Sequence, residues 1–111
     1  MELIETREGS VTVVKPTGPL VQADADRFGA YVAGVMERSA GRLLVDASGM
    51  PYADSKGLEA LLGASEATGA AGRALGLCGA TETLREALEL TGLVNHFEFF
   101  ADVQTGVRSF L

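Results

Sequence analysis

The tetrapeptide Asp54-Ser55-Lys56-Gly57 has the clearest chemical potential in this chain. Seven residues separate it from Asp46, which closes the apolar run Leu43-Leu44-Val45. Leu58, Leu61, Leu62 and Ser65 follow at helical spacing, so Ser55 falls at a helix start. Amides in a first helical turn lack an intrahelical acceptor, and the macrodipole favours negative charge there. A serine so placed is either a plain helix N-cap or a hydroxyl able to carry a phosphoryl group. Phosphoserine brings about −1.5 to −2 charges and three strong acceptor oxygens. The helix start predicts that the domain bears this charge without unfolding. A partner surface fitted to a neutral hydroxyl would instead suffer desolvation and like-charge repulsion. Asp54 is then either a first-turn residue favoured by the dipole or part of the contact surface. Asp46 either binds loop amides at the sheet edge or adds to an acidic neighbourhood around the serine. Gly57 reads as a site of close backbone approach. In the intervening connection, Met50 is expected to pack under the loop and Tyr52 to stand exposed, while Ser48 is a second, weaker hydroxyl candidate.

Catalysis fits these residues poorly. A serine hydrolase needs a base beside its nucleophile and a strained turn such as G-x-S-x-G. No such pentapeptide occurs, and the one histidine, His96, is some forty residues from Ser55 between Val94 and Phe97. One histidine and one cysteine give no metal-ligand cluster, and nothing points to a cofactor. Cys78 follows the apolar run that ends at Leu77 and reads as core packing. The chain is therefore expected not to be an enzyme.

At 111 residues the sequence fits a single domain, 1–111, with 47% apolar and 22% charged residues. A net charge of −6 argues against direct nucleic-acid binding, which needs a Lys/Arg surplus, and against anionic lipid surfaces. No apolar run approaches the length of a membrane span and no basic leader precedes one. The expected setting is cytoplasmic, without membrane insertion. Fourteen glycines are many for this length; Gly29, Gly34, Gly63 and Gly69 fall inside apparent helices and read as background composition or close packing.

The elements that must position the serine follow from periodicity. Residues 2–7 and 11–17 form two short runs joined by a Glu8-Gly9-Ser10 turn, the second ended by Pro16 to Pro19. A helix is expected over 24–39, capped by Asp24, with Phe28, Val32, Val35 and Met36 on one face and Gly41 as terminator. Arg42 to Val45 reads as a strand buried on both faces, central and parallel to a neighbour. The leucine helix spans about 56–69, with Leu58, Leu61 and Leu62 as its core stripe, and a strand follows over 73–78. Thr81 caps a third helix carrying Leu84 and Leu88, which ends at Gly92. A strand near Phe97–Phe100 and a helix from Asp102 complete the order ββαβαβαβα, an α/β fold with a mixed sheet.

Four landmarks occur in sequence: Thr17-Gly18-Pro19-Leu20, Leu44-Val45-Asp46-Ala47-Ser48-Gly49-Met50, Tyr52-Ala53-Asp54-Ser55-Lys56-Gly57-Leu58 and Leu90-Thr91-Gly92-Leu93. Their order and spacing resemble the STAS domains, the family of bacterial anti-sigma factor antagonists and of cytoplasmic domains of sulfate transporters. The resemblance covers nearly the whole chain, and its most specific part is Asp-Ser-x-Gly eight residues after a strand-terminal Asp. It implies a four- to five-stranded mixed sheet with helices mainly on one side. In antagonist members the serine at the Ser55 position is phosphorylated by a partner that is both anti-sigma factor and serine kinase of the GHKL type. The bare protein binds that partner and frees a sigma factor; phosphorylation ends the binding and a metal-dependent serine phosphatase restores it. On this resemblance Ser55 is the phosphorylation site, and Asp46, Tyr52, Asp54, Ser55, Lys56 and Gly57 form the partner surface. Two positions depart from the pattern: Val21 stands where antagonists commonly have an acid, and Lys56 where a small or apolar residue is common. They keep open a second reading, a STAS module that serves as scaffold, ligand sensor or transport-complex subunit without a phosphate switch.

Overall fold

A computed structural model describes all 111 residues. The chain forms a five-stranded sheet from β1 (Glu2–Glu8), β2 (Val11–Thr17), β3 (Leu43–Asp46), β4 (Leu75–Cys78) and β5 (Phe97–Phe100), in spatial order β1-β2-β3-β4-β5. The β1–β2 hairpin is antiparallel, and β2 to β5 run parallel. Helices α1 (Gln22–Ser39), α2 (Ser55–Ala70) and α3 (Glu82–Leu90) make the three crossovers, and α4 (Val103–Arg108) follows β5. Each crossover steps to the next strand in the same direction. Because parallel crossovers are right-handed, such a sequential order gathers their helices on one face.

Strand alternation sorts the core accordingly. Val14, Leu43, Val45, Leu75, Leu77 and Phe97 join Phe28, Leu61 and Leu84 in the main cluster under the three crossover helices. The other face carries Val11, Val13, Leu44 and Cys78, covered by Val103, Val107 and Phe110 from α4 and its C-terminal extension. The short α4 sits this low because residue 106 is glycine, where a Cβ would lie 2.8 Å from Cys78 Sγ. Burial there pushes the Cys78 thiol up to about 12, so it stays protonated and acts as a core hydrophobe.

Several sequence expectations shift in detail. β2 runs through Pro16, which pairs with Leu3 of β1, and ends at Thr17. Helix α1 starts at Gln22 after Val21, whose side chain makes no capping bond; Asp24 is a first-turn residue 3.7 Å from Arg27, not the cap. The first amide of α1 is instead served from far away in sequence, by the carboxylate of Asp54. Ala40 in the left-handed region, followed by Gly41, ends α1. On α2, Leu58 and Leu61 are buried but Leu62 is only half-buried, and Ala64 takes its place in the core. Met36 is half-buried. A one-turn helix over Val94–His96 precedes β5. Thr81 caps α3 as expected, its hydroxyl accepting from the Leu84 amide at 3.1 Å.

Glu5 of β1 fastens the hairpin to α1. Its carboxylate accepts two bonds from the Arg38 guanidinium, at 2.9 and 3.0 Å, and one from the Tyr31 hydroxyl. Arg38 first, and Tyr31 second, lower the Glu5 carboxyl to about 2. The folded-state value lies below the unfolded one, so this stabilisation is present above about pH 4.5 and fades as pH falls toward 2. Because the pair is partly solvated, Glu5→Gln should lower Tm by only about 4 °C at pH 7. Melting curves of the two proteins should converge by about pH 2.

Gly29 and Gly34 in α1, and Gly63 and Gly69 in α2, would each gain a Cβ with nothing within 4 Å. Glycine in a helix interior costs about 0.5–1 kcal/mol relative to alanine. Gly34→Ala should therefore raise Tm, by about 3 to 5 °C in a calorimetric scan.

Candidate functional site

The connection between β3 and α2 is held from three sides. Leu20, after β2, forms an isolated parallel bridge with Ala53: its amide donates to the Tyr52 carbonyl at 3.0 Å, and its carbonyl accepts from the Asp54 amide at 3.2 Å. The Gly18 amide donates to the Gly49 carbonyl at 2.8 Å. From α3, the Thr81 hydroxyl donates to the Pro51 carbonyl at 3.2 Å, while Met50 is fully buried under the loop. Such a segment, with its backbone groups paired and an apolar anchor, has little freedom to move.

Ser55 is the first residue of α2 and is exposed. It is not the cap: Asp54 precedes it in extended conformation, and its Oδ1 accepts from the Gly57 amide at 2.9 Å. The second oxygen, Oδ2, accepts from the Gln22 amide at 3.1 Å. One carboxylate thus satisfies the first amide of α1 and a first-turn amide of α2, whose N-termini converge here. This is why α1 starts two residues earlier than the sequence suggests. Gln22 adopts φ +47°, a region unfavourable for a side chain with a Cβ, and the Asp54 bond holds it there. Asp54→Ala removes both acceptors and should cost about 2 kcal/mol, read as a fall in the urea midpoint. Asp54→Asn, which keeps a single acceptor oxygen, should cost less.

Gly57 is buried against the Leu20 backbone. Lys56 is exposed, and its Nζ stands 4.0 Å from Asp26 Oδ2 on α1, so its charge faces an α1 carboxylate. Tyr52, at 50% exposure, stands out from the loop two residues before Asp54. Tyr52, Asp54, Ser55 and Lys56 therefore lie along one edge, built on the N-termini of α1 and α2, while Gly57, expected on the partner surface, is buried beneath it. Asp46 is turned elsewhere: its Oδ1 accepts from the Ser48 amide at 3.0 Å and from the Ser48 hydroxyl at 2.6 Å. Its side chain organises the loop start, and the same bond ties up Ser48. On the α1 side of this edge, Val21 stood out in the sequence only as a departure from the family pattern, and Gln22 and Asp26 were not identified as site residues. No local signal marks them, because Gln22 and Asp54 meet across 32 residues of chain.

The STAS domain family model matches residues 3–106, and the chain belongs to that family. In sequence, none of the functionally curated proteins matches it. In structure it resembles an anti-sigma factor antagonist of Mycobacterium paratuberculosis, at TM-score 0.84 and 21% identity over 97% of this chain and 92% of that one. It also resembles the anti-sigma factor antagonist SpoIIAA in its unphosphorylated form, at 0.79 and 14% identity over 97% and 96% of the two chains. The phosphorylated form of this Bacillus cell fate determinant matches at 0.74 and 15% identity, over 99% and 100%. The murine anion transporter Slc26a9 contains the same fold, at 0.77 and 20% identity over 94% of this chain and 18% of the transporter. At these identities the likeness is one of fold, shared by antagonists and transporter domains alike. No helix is long and apolar enough to cross a membrane.

Proposed function

We propose that this chain is an anti-sigma factor antagonist switched at Ser55, acting in the cytoplasm. In its bare form the edge made by Tyr52, Asp54, Ser55 and Lys56, seated on the buried Gly57, docks on an anti-sigma factor that is also a GHKL-type serine kinase, and a sigma factor is freed. Phosphorylation of Ser55 ends the contact, a metal-dependent serine phosphatase restores it, and transcription is regulated without contact to nucleic acid. Asp46 contributes by shaping the loop. The observation that carries this reading is the exposed Ser55 hydroxyl at the head of α2, on a loop pinned on three sides. A modification there changes the surface and leaves the core alone. That SpoIIAA exists in a phosphorylated form supports the chemistry for this fold.

The test is phosphoryl transfer. Incubation with ATP and the GHKL-type kinase encoded nearest this gene should add one phosphoryl group, mapped to Ser55 and absent in Ser55→Ala. A metal-dependent serine phosphatase should remove it. A serine that stays unmodified both there and in protein isolated from the native host would overturn the switch. It would favour the second reading, a STAS scaffold, sensor or transport-complex subunit. Val21 at the cap of α1 and the Lys56–Asp26 pair are the features that favour that alternative.

A further inference from the structure

Residues 102–111 lie across the sheet face opposite the three crossover helices, and little fastens them there. No backbone hydrogen bond joins this segment to the rest of the chain, and none of its side chains enters an ion pair. Its own bonds turn inward: Asp102 accepts from the Thr105 amide at 2.8 Å, and the Ser109, Phe110 and Leu111 amides donate to carbonyls three residues back. One hydrogen bond crosses to the body, from Arg42 Nη2 to the Phe110 carbonyl at 3.1 Å. The Phe110 ring is clamped beside it by two guanidinium groups, Arg73 at 3.9 Å and Arg42 at 5.3 Å from the ring centre. Such stacks are weak where water reaches them.

Burial adds a modest anchor. Val103, Val107 and Phe110 are each half-buried, and Gly106 is the segment's one buried residue. Beside the clamp a cavity of ≈ 270 Å³ lies among Ser109, Phe110, Gly76 and Phe100, so the far end of the segment forfeits packing. What the segment covers is a cluster apart: Val11, Val13, Leu44 and Cys78, distinct from the main core under α1, α2 and α3. Lifting the segment therefore leaves every strand pairing and that core intact.

We propose that residues 102–111 form a strap that opens as one unit about Ala101, independently of global unfolding, and that it gates solvent access to the Cys78 thiol. Ala101 is the natural hinge, since the bond from the Gly79 amide to the Phe100 carbonyl, at 2.9 Å, fixes the chain just before it. Gly106 is the seat: an added Cβ would lie 2.8 Å from Cys78 Sγ and 3.0 Å from a Leu44 methyl, so the α4 backbone lies directly over the sulfur. Segments with few crossing hydrogen bonds and shallow burial open at free energies well below the global value. The opening leaves α1, α2 and the Ser55 edge in place, so it stands or falls apart from the Ser55 reading.

Cys78 itself reports the opening. The full chain is treated with a chromogenic aromatic disulfide at about pH 8, where an exposed thiol is partly ionised, over a series of urea concentrations below the unfolding transition. When reclosing outpaces the reaction, the rate is proportional to the open population. In water the thiol should react about a hundredfold faster than the globally unfolded fraction allows, with a urea slope well under that of global unfolding because little surface is exposed. Phe110→Ala, which removes the clamp, and Gly106→Ala, which unseats α4, should each speed labelling about tenfold. Glu5→Gln weakens the fold at a distance from the strap and should leave the rate in water unchanged. Amide hydrogen exchange on the unaltered chain is a second measurement that needs no variant: residues 105–110 should exchange together, ahead of β3 and β4. Labelling that follows global unfolding in rate and urea slope would overturn the proposal. So would a rate unmoved by Phe110→Ala but raised by Glu5→Gln, or exchange of residues 105–110 only in step with β3 and β4. If a strap variant fails to fold, labelling and exchange of the parent chain decide the matter.

Discussion

Gly57→Ala is expected to lower Tm by about 15 °C, corresponding to about 3 kcal/mol. A Cβ at this position would lie 2.0 Å from the Leu20 carbonyl oxygen and 2.9 Å from Ala53 Cβ. Neither neighbour can give way cheaply. The Leu20 carbonyl accepts from the Asp54 amide, the Leu20 amide donates to Tyr52, and the Leu20 side chain is fully buried. Relief of the clash would require α2 to lift from the loop, breaking the Asp54 cap and uncovering Leu58 and Leu61. The effect comes from close approach and not from backbone dihedrals, since Gly57 has no positive φ. Gly63→Ala on the same helix provides the control, because its Cβ enters open space and should shift Tm upward. Paired calorimetric scans of the two variants check the prediction; equal shifts would show that α2 tolerates displacement at its start.

Phosphorylation of Ser55, or Ser55→Asp as its approximation, is expected to weaken the anti-sigma contact about a thousandfold for the phosphoprotein, or about 4 kcal/mol, while Tm changes by no more than about 2 °C. The two halves of this expectation have separate causes. Stability is spared because the side chain is exposed and lies at the positive end of α2. Binding is lost because a dianion pressed against a surface fitted to a hydroxyl must shed its hydration without gaining partners. Ser55→Ala should bind at least as tightly as the parent. Calorimetric titration with the anti-sigma kinase, beside thermal scans of the same samples, separates the effects. Undiminished binding by the phosphoprotein would end the local-block mechanism, as would loss of the melting transition.

The order of elements was legible because each announces itself locally. Val11 to Val14 and Leu43 to Val45 carry the strand signal, Thr81 and Asp102 the cap signal, and the leucines after Ser55 the helix period. That order implies a mixed sheet with helices against it, and the resemblance of the four landmarks to STAS domains supplied the rest. The serine's place at the head of α2 was equally legible, from Asp54-Ser55-Lys56-Gly57 and the apolar stripe behind it. What could not be read was any feature decided by residues remote in sequence. Asp24 looked like a cap because aspartate commonly is one, but the α1 amide is served by Asp54, which rotates attention from the residue beside the helix to one 32 positions away. The turning of Asp46 to Ser48 depended on loop geometry that spacing does not encode.

The double duty of Asp54 has a consequence for how a phosphoryl group on Ser55 would be felt. The Gly57 amide, a natural ligand for such an anion, is already occupied by Asp54 Oδ1, and the Gln22 amide by Oδ2. The added charge would find two of the surrounding amides already taken and a carboxylate for a neighbour. It would be left facing outward, addressed to whatever approaches. A residue that looks like scaffolding would thereby keep the message legible from outside.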